Sequence, residues 1–128
     1  MKTRYTVAFA MIAGFGLGAV AVQGLHAQAK PPVYYISEID ATNLDAYTKE
    51  YAPLAQASIK ASGGRLVAAG ENVTSFEGAP PTKRVAITVW DSLDKIQAWR
   101  NSADYKKARE IGNKYAKFRA FSVEGLAQ

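Results

Sequence analysis

The stretch from Lys83 to Asp91 constrains this chain most. Val85, Ile87 and Val89 alternate with Arg84, Ala86, Thr88 and Trp90, and a period of two is the mark of a β-strand with two unlike faces. The aliphatic row reads as a core face. The other row carries a guanidinium, a hydroxyl and an indole, and reads as the lining of something other than a dry core.

The remaining elements follow in order. Val33 to Ile39 is rich in β-formers, with Val33, Tyr35, Ser37 and Ile39 on one face and Tyr34, Ile36 and Glu38 on the other. Leu44 to Ser62 is expected to be helical, with Leu44, Tyr47, Tyr51, Leu54, Ser58 and Ala61 as its stripe. Pro53 interrupts it, so a kink or two short helices are expected, with Pro53 in a first turn. Gly63-Gly64 ends it as a left-handed cap. Arg65 to Ala69 is a second strand, and Gly70 to Thr82 a long connection. After the Lys83–Asp91 strand, Asp91 or Ser92 caps a helix bearing Leu93, Ile96 and Trp99. Ser102 starts another, from Ala103 to about Ala116, with Tyr105, Ala108, Ile111 and Tyr115 as its stripe. Phe118 to Glu124 closes the chain as a strand. The order β-α-β-β-α-β is an α+β, ferredoxin-like arrangement: a four-stranded antiparallel sheet with helices on one face.

The chain has 128 residues, and the first 29 read as a secretory signal peptide. Lys2 and Arg4 precede an apolar run from Val7 to Val22, and Ala27-Gln28-Ala29 is a small-residue cleavage site. The run is shorter than the ~20 residues a spanning helix needs, so cleavage is expected and a retained membrane anchor is the alternative. The protein would then be periplasmic or secreted. Residues 30–128 suffice for one domain. Lys+Arg number 16 against 11 Asp+Glu, and two of the cations lie in the leader, a mild excess that does not point to nucleic acid.

The single histidine, His26, and both methionines, Met1 and Met11, also lie in the leader, and there is no cysteine. No disulfide, no histidine base, no Cys–His or Ser–His pair and no His or Cys metal ligand is available beyond it. No cofactor is expected.

Helices on one face leave the other bare. On the alternation above, that face carries Tyr34, Ile36, Val67, Ala86, Trp90 and Ala120. An apolar patch of this kind is usually covered by a partner, and two such sheets face to face make a symmetric homodimer with a cleft between sheet and partner.

Tyr34 to Thr42, Gly63-Gly64-Arg65, Glu77-Gly78, Arg84 to Asp91, Ala98-Trp99, Ser102-Ala103-Asp104-Tyr105 and Val123-Glu124-Gly125 together resemble the bacterial domain of unknown function 1330, over nearly all of residues 30–128. The resemblance implies a dimeric α/β-barrel, a fold shared with small monooxygenases, isomerases and haem proteins that process dyes or chlorite. It implies no established activity. The chain departs from the family pattern at Ala69 and Gly112, where many members carry arginine.

The candidate ligand-binding residues are Arg84, Trp90, Thr88, Tyr34, Glu38, Ser122 and Glu124. Arg84 suits a carboxylate, or pairs Glu38 or Glu124, or sits at a wet strand end. Trp90, Tyr34 and Thr88 suit a flat organic ligand, or fill a dimer interface. Glu38 and Tyr34 are candidates for proton transfer, and Glu38 and Glu124 are equally suited to ion pairs. Trp99 and Tyr105 read as core, and Lys106, Lys107, Arg109, Lys114 and Lys117 as a solvated face. Three functions remain open. One is an exported module binding a small aromatic or acidic molecule. The second is a cofactor-independent oxygenase or isomerase acting on an activated phenol or enol. The third is an interaction dimer without a ligand.

Overall fold

The computed structural model describes residues 30–127; the expected signal peptide lies outside the described residues. β1 (Val33–Ala41) leads to a short helix α1 (Leu44–Ala46), a π-helical turn (Tyr47–Tyr51) and α2 (Ala52–Ala61). Then come β2 (Arg65–Gly70), β3 (Arg84–Trp90), α3 (Leu93–Arg100), α4 (Ala103–Tyr115) and β4 (Ala116–Glu124). The strands form one four-stranded sheet in the order β2-β3-β1-β4, antiparallel throughout. This is the expected ferredoxin-like fold.

Pro53 behaves as its chemistry requires. It sits in the first turn of α2, where its missing N–H breaks no helical bond. The turn before it widens, and Ala52 N–H donates to Tyr47 O instead of to the nearer carbonyl. The extra residue rephases the buried stripe. Tyr47, Tyr51, Ala55 and Ser58 face inward, while Leu44 and Leu54, expected in that stripe, are exposed. At the other end of α2, Gly64 N–H donates to Ile59 O (2.9 Å) and Gly63 N–H to Lys60 O (3.2 Å). With Gly63 at φ +96°, this is a Schellman cap. Ser92 and Ser102 cap α3 and α4, their hydroxyls accepting from Lys95 N and Tyr105 N at 3.2 Å. No loop separates α4 from β4.

The strand register decides the faces. Val33 lies opposite Trp90, Tyr35 opposite Thr88, Ser37 opposite Ala86 and Ile39 opposite Arg84. On the other side of β1, Tyr35 meets Ser122, Ser37 meets Ala120 and Ile39 meets Phe118. Directly opposed residues share a face, and Val33, Tyr35 and Ile39 are buried beneath the helices. The row expected to await a partner, Arg84-Ala86-Thr88-Trp90 with Ala120, therefore faces the helices. The row expected in the core, Val85-Ile87-Val89, lies on the open face with Tyr34, Ile36, Phe121 and Val123.

The reason for this reversal is shape. Indoles need a three-dimensional hole, and Trp90, 2% exposed, finds one under the helices against Trp99, ring centroids 5.0 Å apart. Its Nε1–H donates to Thr88 Oγ1 at 2.8 Å, so the hydroxyl completes the core. Branched aliphatic side chains suit the flatter surface. Val67, assigned from its alternation to the bare face, falls at a bulge between Leu66 and Ala68, where the β2 register shifts and strand periodicity lapses.

Candidate functional site

A cavity of about 60 Å³ lies between the sheet and the helices. At roughly 10–15 Å³ per water-sized group, it has room for several such groups. Its floor is Tyr35, Ser37, Ile39, Arg84, Ala86 and Thr88. The π-turn supplies Tyr47 and Tyr51, α3 and α4 supply Trp99, Tyr105 and Arg109, and β4 supplies Phe118. The π-turn sets both of its phenols, Tyr47 and Tyr51, on the inward side.

Two guanidiniums brace the phenols at one end. Arg100 Nη1 donates to Tyr35 Oη at 2.6 Å and to Tyr105 Oη at 3.2 Å. Arg109 Nη1 donates to Tyr105 Oη at 2.7 Å and its Nε to Asn113 Oδ1 at 2.9 Å. The Arg109 guanidinium also lies 3.7 Å from the centroid of the Phe118 ring, close enough for a cation–π contact. Trp99 Nε1–H donates to Ser58 Oγ at 3.0 Å, and that hydroxyl donates to Ala55 O at 2.8 Å.

Arg84 stands apart from this network. Its guanidinium lies 5.5 Å from the centroid of the Tyr47 ring, and Nη1 is 3.8 Å from Glu71 Oε1, with 22% of the side chain exposed. Its Nε is buried without a hydrogen-bond partner. Burial raises the phenol pKa values of Tyr35, Tyr47 and Tyr51. Nearby Arg84 pulls against that rise at Tyr47, and neighbouring phenols add to it at Tyr35 and Tyr51. These groups stay neutral donors at ordinary pH.

Among the residues singled out in the sequence, Arg84 and Thr88 line the cavity, and Thr88 is already taken up by Trp90. Trp90 lies behind the cavity wall. Ser122 lines an open groove beside it with Arg100 and Arg109. Glu124 is exposed at the end of β4, opposite Val33. Tyr34 and Glu38 lie on the open face, and Glu38 pairs with Arg119. Glu38 and Glu124 therefore do not share a face, and Arg84 pairs with neither.

Sequence reasoning missed Tyr47, Tyr51, Tyr105 and Arg109 as cavity residues, and Arg100 as the brace behind two of the cavity's phenols. One signal was present: phenols on an apolar helical stripe need polar partners when buried, and Arg109 follows Tyr105 by one helical turn. Ala69 lines the cavity. A Cβ at Gly112 would come within 2.6 Å of the Tyr51 ring, so this chain has no room there for the arginine of many members. Among the described residues, no cluster of His, Cys, Asp and Glu is suited to a metal ion.

The model of the family described as Domain of unknown function (DUF1330) matches residues 32–126. The chain belongs to this family. No curated protein matches it by sequence. Among solved structures, it is similar to a protein of unknown function from Rhodopseudomonas palustris, with 13% identity and a TM-score of 0.57 over 84% of this chain and 94% of that one. It is also similar to SnoaB from Streptomyces nogalater, described as a cofactor-independent oxygenase, at 10% identity and TM-score 0.57 over 77% and 96%. A third, from Bacteroides fragilis, is described as a dimeric protein of unknown function with a ferredoxin-like fold: 15% identity, TM-score 0.51, over 73% and 95%. At these identities the likeness is one of fold, and the DUF1330 chain shares it along most of its described length.

Proposed function

We propose that this DUF1330 protein is an exported homodimer that binds a small, flat organic molecule in the cavity between its sheet and its helices. The single observation that carries the binding reading is the cavity itself, walled by aromatic rings and lined by Arg84 and no carboxylate. A chain built only to dimerise has no need of such a space.

The open sheet face supports the dimer. Phe121 and Val123 are 44% and 55% exposed, alongside the aliphatic row of β3. A patch of this kind across a whole sheet is a liability for a lone subunit, and the Bacteroides fragilis neighbour is described as dimeric. Export rests on the basic, apolar and small-residue order of the leader.

The cavity supports binding over turnover. Glu38 and Tyr34, the candidates for proton transfer, belong to the other face. The residues lining the cavity include no carboxylate, and burial holds the phenols of Tyr35, Tyr47 and Tyr51 protonated. An oxygenase working like the one named for SnoaB would need a substrate acidic enough to ionise without a protein base.

Sedimentation velocity and native mass spectrometry of protein purified from the periplasmic fraction test the proposal. The expected species is a dimer beginning near residue 30 with one small molecule per subunit. A monomer at micromolar concentration, or a cavity that stays empty through a thermal-shift screen of small aromatics, would overturn it.

A further inference from the structure

We infer that the cavity ligand is a carboxylate, held end-on by the two Nη nitrogens of Arg84. This rests on the binding proposal above and narrows it to one chemical class.

The cavity has two cationic side chains in its lining, Arg84 and Arg109, and neither Asp nor Glu. Arg109 is committed to Tyr105, Asn113 and Phe118. Arg84 lies beside the Tyr47 phenol, and its Nε–H is packed in with neither an acceptor nor room for one, so a counter-charge has to be met at its Nη nitrogens. Leaving a charged donor unpaired away from water is costly, and such groups ordinarily find a partner. Nη1, on the far side of the guanidinium, is turned to Glu71 at 3.8 Å, too long for a hydrogen bond. Nη1–H and Nη2–H at the end of the planar guanidinium can take a carboxylate with two parallel bonds. The ligand's body would then lie among Tyr47, Tyr51 and Phe118, rings that accept a flat apolar group. Protonated phenols at Tyr47 and Tyr51 can donate to an anion and do not repel it.

Glu71 is the internal competitor. It is half exposed and supplies Arg84 with a distant counter-charge. A bound carboxylate takes over that role at closer range.

Calorimetric titration of the protein purified from the periplasmic fraction with butyrate and benzoate, against neutral butyramide and benzamide and against phenyl phosphate, tests this. At least one acid is expected to bind tenfold or more tightly than its amide, roughly the worth of a charge-assisted hydrogen bond. That preference is expected to vanish in Arg84→Gln and to fall in Arg84→Lys, which keeps the charge and loses the fork. Glu71→Gln is expected to leave affinity equal or raise it. Unchanged circular dichroism and melting temperature in Arg84→Lys guard against misfolding. Amides binding as well as acids, or an acid preference that survives Arg84→Gln, would overturn the carboxylate assignment and leave small-molecule binding standing. Phenyl phosphate binding better than benzoate would overturn it in favour of a tetrahedral anion. If no probe binds, the carboxylate assignment falls together with the binding reading beneath it.

Discussion

The indole of Trp90 lies against the backbone of Gly64, so close that a Cβ there would come within 2.5 Å of its ring. Two adjacent glycines thus do different work. Gly63 supplies the positive φ of the helix cap, and Gly64 makes room for a fully buried indole. Gly64→Ala is expected to destabilise the fold by about 1–3 kcal/mol, the usual cost of overpacking, as measured by urea unfolding. Trp90→Phe in the same chain should recover part of that loss. Additive effects of the two substitutions would contradict the packing argument.

Ser58, 3% exposed, accepts the Trp99 indole N–H and donates to Ala55 O. Ser58→Ala leaves that N–H buried without an acceptor, at a cost of roughly 1–3 kcal/mol. Equilibrium unfolding followed by tryptophan fluorescence should show it. A change under about 0.5 kcal/mol, the range of neutral surface substitutions, would mean that water replaces the hydroxyl.

The open face should govern association without touching the cavity. Ile87→Lys places a charge in the middle of the aliphatic row, where a partner sheet would have to bury it unpaired at a cost of several kcal/mol. Sedimentation is expected to show a folded monomer. A dimer that persists at micromolar concentration would move the interface elsewhere.

Alkaline stability follows from the buried phenols. Tyr35, Tyr47 and Tyr51 have pKa values raised above the ordinary value of 10.0, so the folded chain holds these protons more tightly than the unfolded chain does. The stability they contribute is complete below the unfolded value and is lost as pH rises through the folded values. Urea midpoints should be insensitive to these groups between about pH 7 and 9 and should fall above about 10. Tyr51→Phe should make that fall shallower. A midpoint that stays level above pH 10, or a slope unchanged in Tyr51→Phe, would refute this linkage.

Most of the fold was legible from local signals. Alternation marked the strands, Ser92, Ser102 and Gly63-Gly64 marked helix ends, and Pro53 marked the break within the first helical stretch. The order of elements then left little choice of topology. The candidate site was less legible. Arg84 and Thr88 stood out as polar side chains in a strand. Tyr47, Tyr51, Arg100 and Arg109 looked like parts of an ordinary amphipathic helix, because nothing local tells a phenol that packs from one that lines a void.

What the chain determines locally is which residues share a face, since the pleat of a strand and the pitch of a helix are properties of a few neighbouring residues. Which face meets the helices is settled only when the strands pair. The Tyr35–Thr88 register carries Trp90 inward and turns Val85, Ile87 and Val89 outward, and no local pattern contains that information. A strand with two apolar faces can be laid either way up. The choice falls to the whole sheet, which sends its bulky rings to the side where helices can close around them.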